Sequence, residues 1–343
     1  MWRPRPAVRE EMRPDINVLS RRPADMQGPT TVSRRAEVDG RTRHYGEFYG
    51  VADTATTDDR QILVVWGNCQ AEALRIVLSG SPELSYRTVR VPPVHELEAS
   101  DILQVEDLIR QAAVIVSQPV REGYRGLPIG GPDLAEMAPS ARRIVWPVIR
   151  YGGLFPFQVI VRHPASPAAV PAAVPYHDLR TVLAARDGRE SFEDWDVEVT
   201  PERVREAAQW SVAQLSARES RHCDVSISDA LLDLGADAAH TINHPGNRTL
   251  MVLGQRILDA LGAPAPSAPD RELLGNTRAP LEQRVIEALG VQAAARRSWS
   301  VDGAPVSEED VHKRQMLWYA DHPEYIDAAL ERYRELVSIL GLS

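Results

Sequence analysis

Apolar positions dominate several short runs of this chain and recur at helical spacing between them. Ile62-Leu63-Val64-Val65-Trp66 is short, continuous and rich in β-branched residues, the signature of a strand buried on both faces. Gly67-Asn68 turns the chain, and Ala71 to Leu78 places apolar residues at helical spacing up to Ser79-Gly80. Tyr86–Val91 reads as a second strand. Ser100–Gln111 reads as an amphipathic helix carrying Ile102, Leu103, Val105, Leu108 and Ile109 on its apolar side. Ala113–Val116 and Arg143–Trp146 follow as a third and a fourth strand. Strands alternating with helices predict an α/β fold, a mainly parallel sheet flanked by helices on both faces.

Beyond the fourth strand the pattern turns helical. Ala165–Pro175 is rich in Pro and Ala and reads as a connection; Asp178–Ala185, Pro201–Ser216 and Ile227–Leu234 follow with helical spacing. Arg248–Leu261 carries Leu250, Val252, Leu253, Ile257, Leu258 and Leu261 on one side, with Gly262 as its stop. A Pro-rich link, Ala263–Pro269, leads into a C-terminal region expected to be helical as far as Pro323–Leu342. The first 40 or so residues lack apolar periodicity and read as a tail. Arg43 to Gly50 is dense in aromatics and glycine, so it is expected to lie ordered on the core, at a site edge or as plain packing. The resulting division is 1–58 tail and aromatic loop, 59–262 α/β domain and 263–343 helical extension. No internal repeat is visible.

Composition narrows the function classes. The chain of 343 residues is 43% hydrophobic, enough for a full core. No apolar run is long enough to span a bilayer, and the N-terminus lacks the apolar stretch of a secretory signal. Cys69 and Cys223 are the only cysteines and cannot build a disulfide framework, so a cytoplasmic location is the default. A formal net charge of −9 argues against general nucleic-acid binding. It does not exclude an anionic small molecule, because nearly all the basic residues are arginines, and a few in a cleft hold phosphates well.

Three constellations could carry chemistry. In an open parallel sheet, ligands gather at the carboxyl ends of the strands. Cys69 sits just past the first such end and at the mouth of a helix. There, unpaired N–H groups and the helix dipole favour a thiolate and could hold an oxyanion. Gly67 permits the turn, and Asn68 and Gln70 offer side-chain donors beside it. Taken alone, Cys69 also fits a small buried hydrophobe. Ser117-Gln118-Pro119 follows the third strand, so Gln118 reaches the same rim; Arg121 and Arg125, on the loop toward Gly130-Gly131, could meet phosphates or be solvated charges. His240-Thr241-Ile242-Asn243-His244-Pro245-Gly246-Asn247 precedes the long helix and supplies a histidine as general base. No third ligand stands at a diagnostic spacing from His240 and His244, so no metal is expected. His222 and Cys223 are read as structural.

Gly-Asn-Cys-Gln after a buried strand, a strand-end Ser-Gln about fifty residues on, and a late His-Pro-x-Asn before a helix together resemble the WcbI-type polysaccharide-biosynthesis acetyltransferases over roughly residues 60 to 262. The His-Tyr-Gly-x-Phe-Tyr-Gly segment adds to that resemblance. It implies a coenzyme A-binding enzyme that transfers an acetyl group to a sugar, with Cys69, Gln70 and His244 in the active site and Asn68 and Gln118 beside them. Gly67, Ser117, Arg121, Arg125, His240 and Asn247 are the expected substrate- and cofactor-binding residues, and no metal is implied. A wider similarity is to the SGNH hydrolase fold, in which an aspartate precedes the late histidine. This chain has Thr241 there, leaving Asp237, Asn243 or a main-chain carbonyl to orient His244. The partners implied are an acyl donor and a carbohydrate-type acceptor. An esterase or thioesterase, or a non-catalytic protein binding coenzyme A or a nucleotide sugar, are the alternatives. The region beyond residue 263 could cap the site or mediate homo-oligomer formation.

Overall fold

The alternating pattern folds as expected into a four-stranded, all-parallel sheet. The computed structural model describes residues 39–51, 58–162, 169–171 and 173–342; most of the N-terminal tail and part of the 165–175 connection lie outside these. Gly40–Ser343 forms one compact unit. Its first half contains α1 (Gly40–His44), β1 (Gln61–Trp66), α2 (Cys69–Ser79), β2 (Tyr86–Thr88), α3 (Ile102–Gln111), β3 (Ala112–Ser117), α4 (Gly131–Met137) and β4 (Arg142–Val145). The strand order is β2-β1-β3-β4. The chain therefore leaves β1 toward β2 and returns past it to β3, placing a topological switch between β1 and β3.

β1 shows why both faces are covered. Its side chains alternate: Leu63 and Val65 pack in one core with Leu74 and Leu78 of α2. Ile62, Val64 and Trp66 pack in another with Val105, Leu108 and Ile109 of α3. All five are buried, as a strand between two helical layers requires. The aromatic segment belongs to the second core. Phe48 is buried there, and Arg41 and Tyr49 bind the Asp101 carboxylate just before α3.

The chain continues through β5 (Gln158–Val159), β6 (His177–Asp178), α5 (Leu179–Arg186), α6 (Pro201–His222), β7 (Ala239–Thr241), β8 (His244–Pro245) and α7 (Asn247–Leu261). α7 lies against α2, with Leu253, Ile257 and Leu258 in the first core. The expected helix Ile227–Leu234 is instead a single 3₁₀ turn, Ser228–Ala230, followed by turns. The buried Glu219 carboxylate accepts from the Ile227 and Ser228 amides, and Gly235 takes a positive φ of 57°. These side-chain and turn interactions fix a path that apolar spacing does not reveal.

The last part adds β9 (Thr277–Arg278), α8 (Gln283–Leu289), β10 (Ser298–Val301), β11 (Ala304–Ser307), α9 (Glu308–Asp321), α10 (Glu324–Arg332) and α11 (Arg334–Leu340). Helices dominate it, and a three-stranded antiparallel sheet, β11-β10-β9, is added to them. Tyr319, Tyr325, Leu336 and Leu340 share a core with Val159 and Leu183. Among the described residues, no helix is long and apolar enough to cross a membrane.

Candidate active site

The turn after β1 is built around close contact with the strand end of β3. A Cβ on Gly67 would lie 2.5 Å from Gln118 Oε1 and 2.7 Å from its Cδ, so the Gln118 amide lies where any larger residue would sit. Gln118 Oε1 accepts from the Asn68 amide at 2.9 Å, and the Asn68 side chain accepts from the Gln70 amide at 2.9 Å, capping α2. Gln118 Nε2 donates to Gln70 Oε1 at 3.1 Å. Gln70, fully buried, also accepts from the Ile149 amide and donates to the carbonyls of Ile149 and Asn243, both at 2.8 Å. Its amide thus ties together α2, the end of β3, the segment after β4 and the loop carrying His244.

This bracing revises the oxyanion picture. The Asn68 amide is occupied, as are the amides of the Gln70 and Gln118 side chains, and the Gln70 amide is shared between the Asn68 side chain and the Cys69 sulfur. The N–H groups of Cys69 itself and of Gln70 still lie against the Cys69 sulfur and favour its thiolate. Burial outweighs them and pushes the Cys69 thiol up, with Glu96 adding to the rise and Arg162 opposing it. The thiolate expected from the helix terminus is therefore replaced by a thiol at neutral pH, because desolvation exceeds the dipole effect here.

His244 begins β8, immediately after the Asn243 carbonyl that Gln70 holds. Burial pushes its pKa down to about 4, His240 adds to the fall, and a hydrogen bond with the Thr277 main chain opposes it. The imidazole is neutral at neutral pH, and its Nδ1 is buried with no partner among the described residues. Of the groups considered for orienting it, Asp237 pairs with Arg248. Thr241 Oγ1 and Asn243 Oδ1 both meet the Tyr176 hydroxyl at 2.9 Å. The main chain at Thr277, on β9, is what touches the ring.

Apart from Arg125, the other expected residues divide between two clefts. Ser117, Gln118 and Arg121 line a cleft of about 770 Å³ with Arg150, Arg218, Arg332, His222 and Cys223. Cys223, read as structural, is thus part of this wall, its thiol pushed up to about 11 by burial. Arg125 donates to the main-chain carbonyls of His95 and Leu97. His240 and Asn247 line a separate cleft of about 490 Å³. There His240 Nε2 meets Glu272 at 3.0 Å, and Asn247 ties down the main chain of Arg271 and Leu273. Among the described residues, no group of three or more His, Cys, Asp or Glu could hold a metal ion.

Sequence reasoning passed over His95, Glu96 and Tyr176. The 92–95 loop docks on the Cys69 turn through the Val94 amide and the Gly67 carbonyl, 2.9 Å apart. Applying the strand-end rule to β2 as well as to β1 and β3 would have found it. Tyr176 lies within electrostatic reach of Cys69 and follows the Pro/Ala-rich connection, where the pattern gives no such signal.

Comparison with known proteins agrees with this architecture. No curated protein sequence matches. A solved structure described as a native form of WcbI, a polysaccharide biosynthesis enzyme, without a disulfide bond between coenzyme A and one of its cysteines, superposes with a TM-score of 0.67. It is 21% identical and covers 82% of this chain and 98% of its own. The model of the family "Polysaccharide biosynthesis enzyme WcbI" matches residues 62–266, more than half of the chain and the whole span from β1 past α7. The chain therefore belongs to the WcbI family of polysaccharide biosynthesis enzymes.

Proposed function

We propose that this enzyme transfers an acetyl or other acyl group from acyl-coenzyme A to a hydroxyl of a sugar or polysaccharide precursor, with Cys69 at the centre of the site and His244 as its base. The observation that carries the reading is the Cys69 turn. A partly exposed thiol stands at the first residue of α2, against two main-chain N–H groups, held by the Gln70–Gln118 bracing. The related structure, described as without a disulfide bond between coenzyme A and one of its cysteines, names coenzyme A beside a cysteine and so supports coenzyme A as the donor.

The chemistry follows from the protonation states. Cys69 is a thiol at neutral pH, so attack on a thioester carbonyl requires its proton to leave as the carbon–sulfur bond forms. A neutral imidazole at His244 can accept that proton and return it to the departing coenzyme A sulfur; the sugar hydroxyl then displaces Cys69 by the same exchange. The two N–H groups at the sulfur stabilise negative charge there. Gln70 acts as a positioning residue, since both atoms of its amide group are already engaged.

Intact-protein mass spectrometry after mixing with acetyl-coenzyme A tests the covalent route. An acetyl adduct on wild type, absent in Cys69→Ala, is expected. No adduct together with full activity in Cys69→Ala would refute it. Rapid release of coenzyme A without any sugar would identify a hydrolase on the same fold.

A further inference from the structure

Three arginines stand out by what they lack. Arg150, Arg218 and Arg332 line the 770 Å³ cleft and also a smaller adjoining one of about 130 Å³. Arg150 and Arg218 are half-buried. Most other partly buried guanidiniums are matched: Arg75 binds Glu72 at 2.7 Å, Arg180 binds Asp178 at 2.8 Å, and Arg256 binds Asp229 at 2.7 Å, while Arg296 donates to the Ala279 carbonyl. Among the described residues, none of the three cleft arginines has a carboxylate in ion-pair contact, although the chain carries 48 acidic residues against 39 basic ones. Glu219, whose charge favours the charged form of Arg218, is occupied by the Ile227 and Ser228 amides.

Holding these charges together is costly. Burial, and repulsion from Arg162, Arg332 and Arg218, disfavour the charged form of Arg150; burial and Arg332 do the same for Arg218. Half-buried like charges without a counterion lower stability unless an anion joins them. The rest of the lining points the same way. The Trp210 indole N–H and Gln158 Oε1, both on the smaller cleft, have no partner among the described residues. Tyr333 is fixed by its hydroxyl against the Ile160 carbonyl at 2.9 Å, presenting an aromatic wall. Arg162 connects this region to the catalytic turn, since its charge acts on both Arg150 and Cys69.

We propose that Arg150, Arg218 and Arg332 form a subsite for a diphosphate group, which anchors a substrate whose reacting end extends toward Cys69. Guanidinium forks match phosphate oxygens bidentately, and a diphosphate offers enough oxygens to engage all three. The subsite rests on the acyl-transfer reading only for which substrate brings the diphosphate. That could be the pyrophosphate of coenzyme A or that of a nucleotide-linked sugar acceptor.

The test uses the full chain and starts with inorganic pyrophosphate, so that it does not depend on acyl transfer. Pyrophosphate should raise the melting temperature of wild type, less so at high salt. The shift should vanish in the triple variant Arg150→Gln/Arg218→Gln/Arg332→Gln and partly return in the matching lysine variant, which keeps the charge. Without ligand, Arg150→Gln should melt no lower than wild type, because it relieves repulsion. Calorimetric titration then separates the sources. Each single Gln variant should weaken coenzyme A at least tenfold, with pantetheine unaffected, if the donor supplies the diphosphate. It should weaken uridine diphosphate instead if the acceptor does. Wild-type binding of pyrophosphate, coenzyme A and uridine diphosphate by a folded triple variant would overturn the subsite while leaving a Cys69 acetyl adduct untouched.

Discussion

Gln70→Leu isolates the bracing beneath the Cys69 turn. Leucine has similar volume, so the substitution removes polar partners more than packing. Four hydrogen bonds disappear: from Gln118 Nε2 and the Ile149 amide to Oε1, and from Nε2 to the carbonyls of Ile149 and Asn243. Gln70 is completely shielded from solvent and Gln118 is 2% exposed, so water cannot easily replace what is lost. Leaving a buried donor without an acceptor costs roughly 1–3 kcal/mol, and two are orphaned. The carbonyls add less, and the leucine returns about 1 kcal/mol through its apolar surface. The expected net loss is about 4 kcal/mol, large beside a total stability of roughly 5–15 kcal/mol. Equilibrium urea unfolding, followed in parallel by tryptophan fluorescence and far-UV circular dichroism, measures it. Under native conditions, alkylation of Cys69 should also accelerate as the start of α2 loosens. A loss below about 1 kcal/mol with coincident transitions, and an unchanged alkylation rate, would refute the bracing argument.

Two further expectations follow from the same geometry and from burial. Gly67→Ala forces the Gln118 amide aside and should cost about 2 kcal/mol; adding Gln118→Ala should make the second loss smaller than in the wild-type background, and strict additivity in a double-mutant cycle would count against the contact. His177 is buried with its pKa pushed down to about 4 from an ordinary 6.5, so the native chain resists a proton that the unfolded chain accepts. Its contribution is present above pH 6.5 and lost as pH falls through 4, worth roughly 3 kcal/mol at the acid end. Urea midpoints between pH 4 and 7 should therefore fall less steeply in His177→Gln than in wild type, and parallel curves would exclude this cause.

The sequence by itself determined the architecture of the first half and the position of the Cys69 turn. Ile62–Trp66 had to be a doubly covered strand because every residue in it is apolar, and the alternating strands and helices then required a parallel sheet with Cys69 and Gln118 on one rim. Gly67-Asn68-Cys69-Gln70 was legible for the same reason: local patterns govern where a strand stops and a helix starts.

What the tertiary structure decided were properties that depend on contacts far apart in the chain. The Cys69 thiol is raised because burial exceeds the effect of two N–H groups, a balance no local motif encodes. Gln70 and Gln118 became braces when residues 48 apart met. His240 went to a different cleft from Ser117 because Glu272 and β9 close around it. The segment Ile227–Leu234 followed a buried carboxylate on α6. Arg150, Arg218 and Arg332 were three among many arginines until folding brought them together without a counterion, because charge–charge energies depend on distance and solvent exposure.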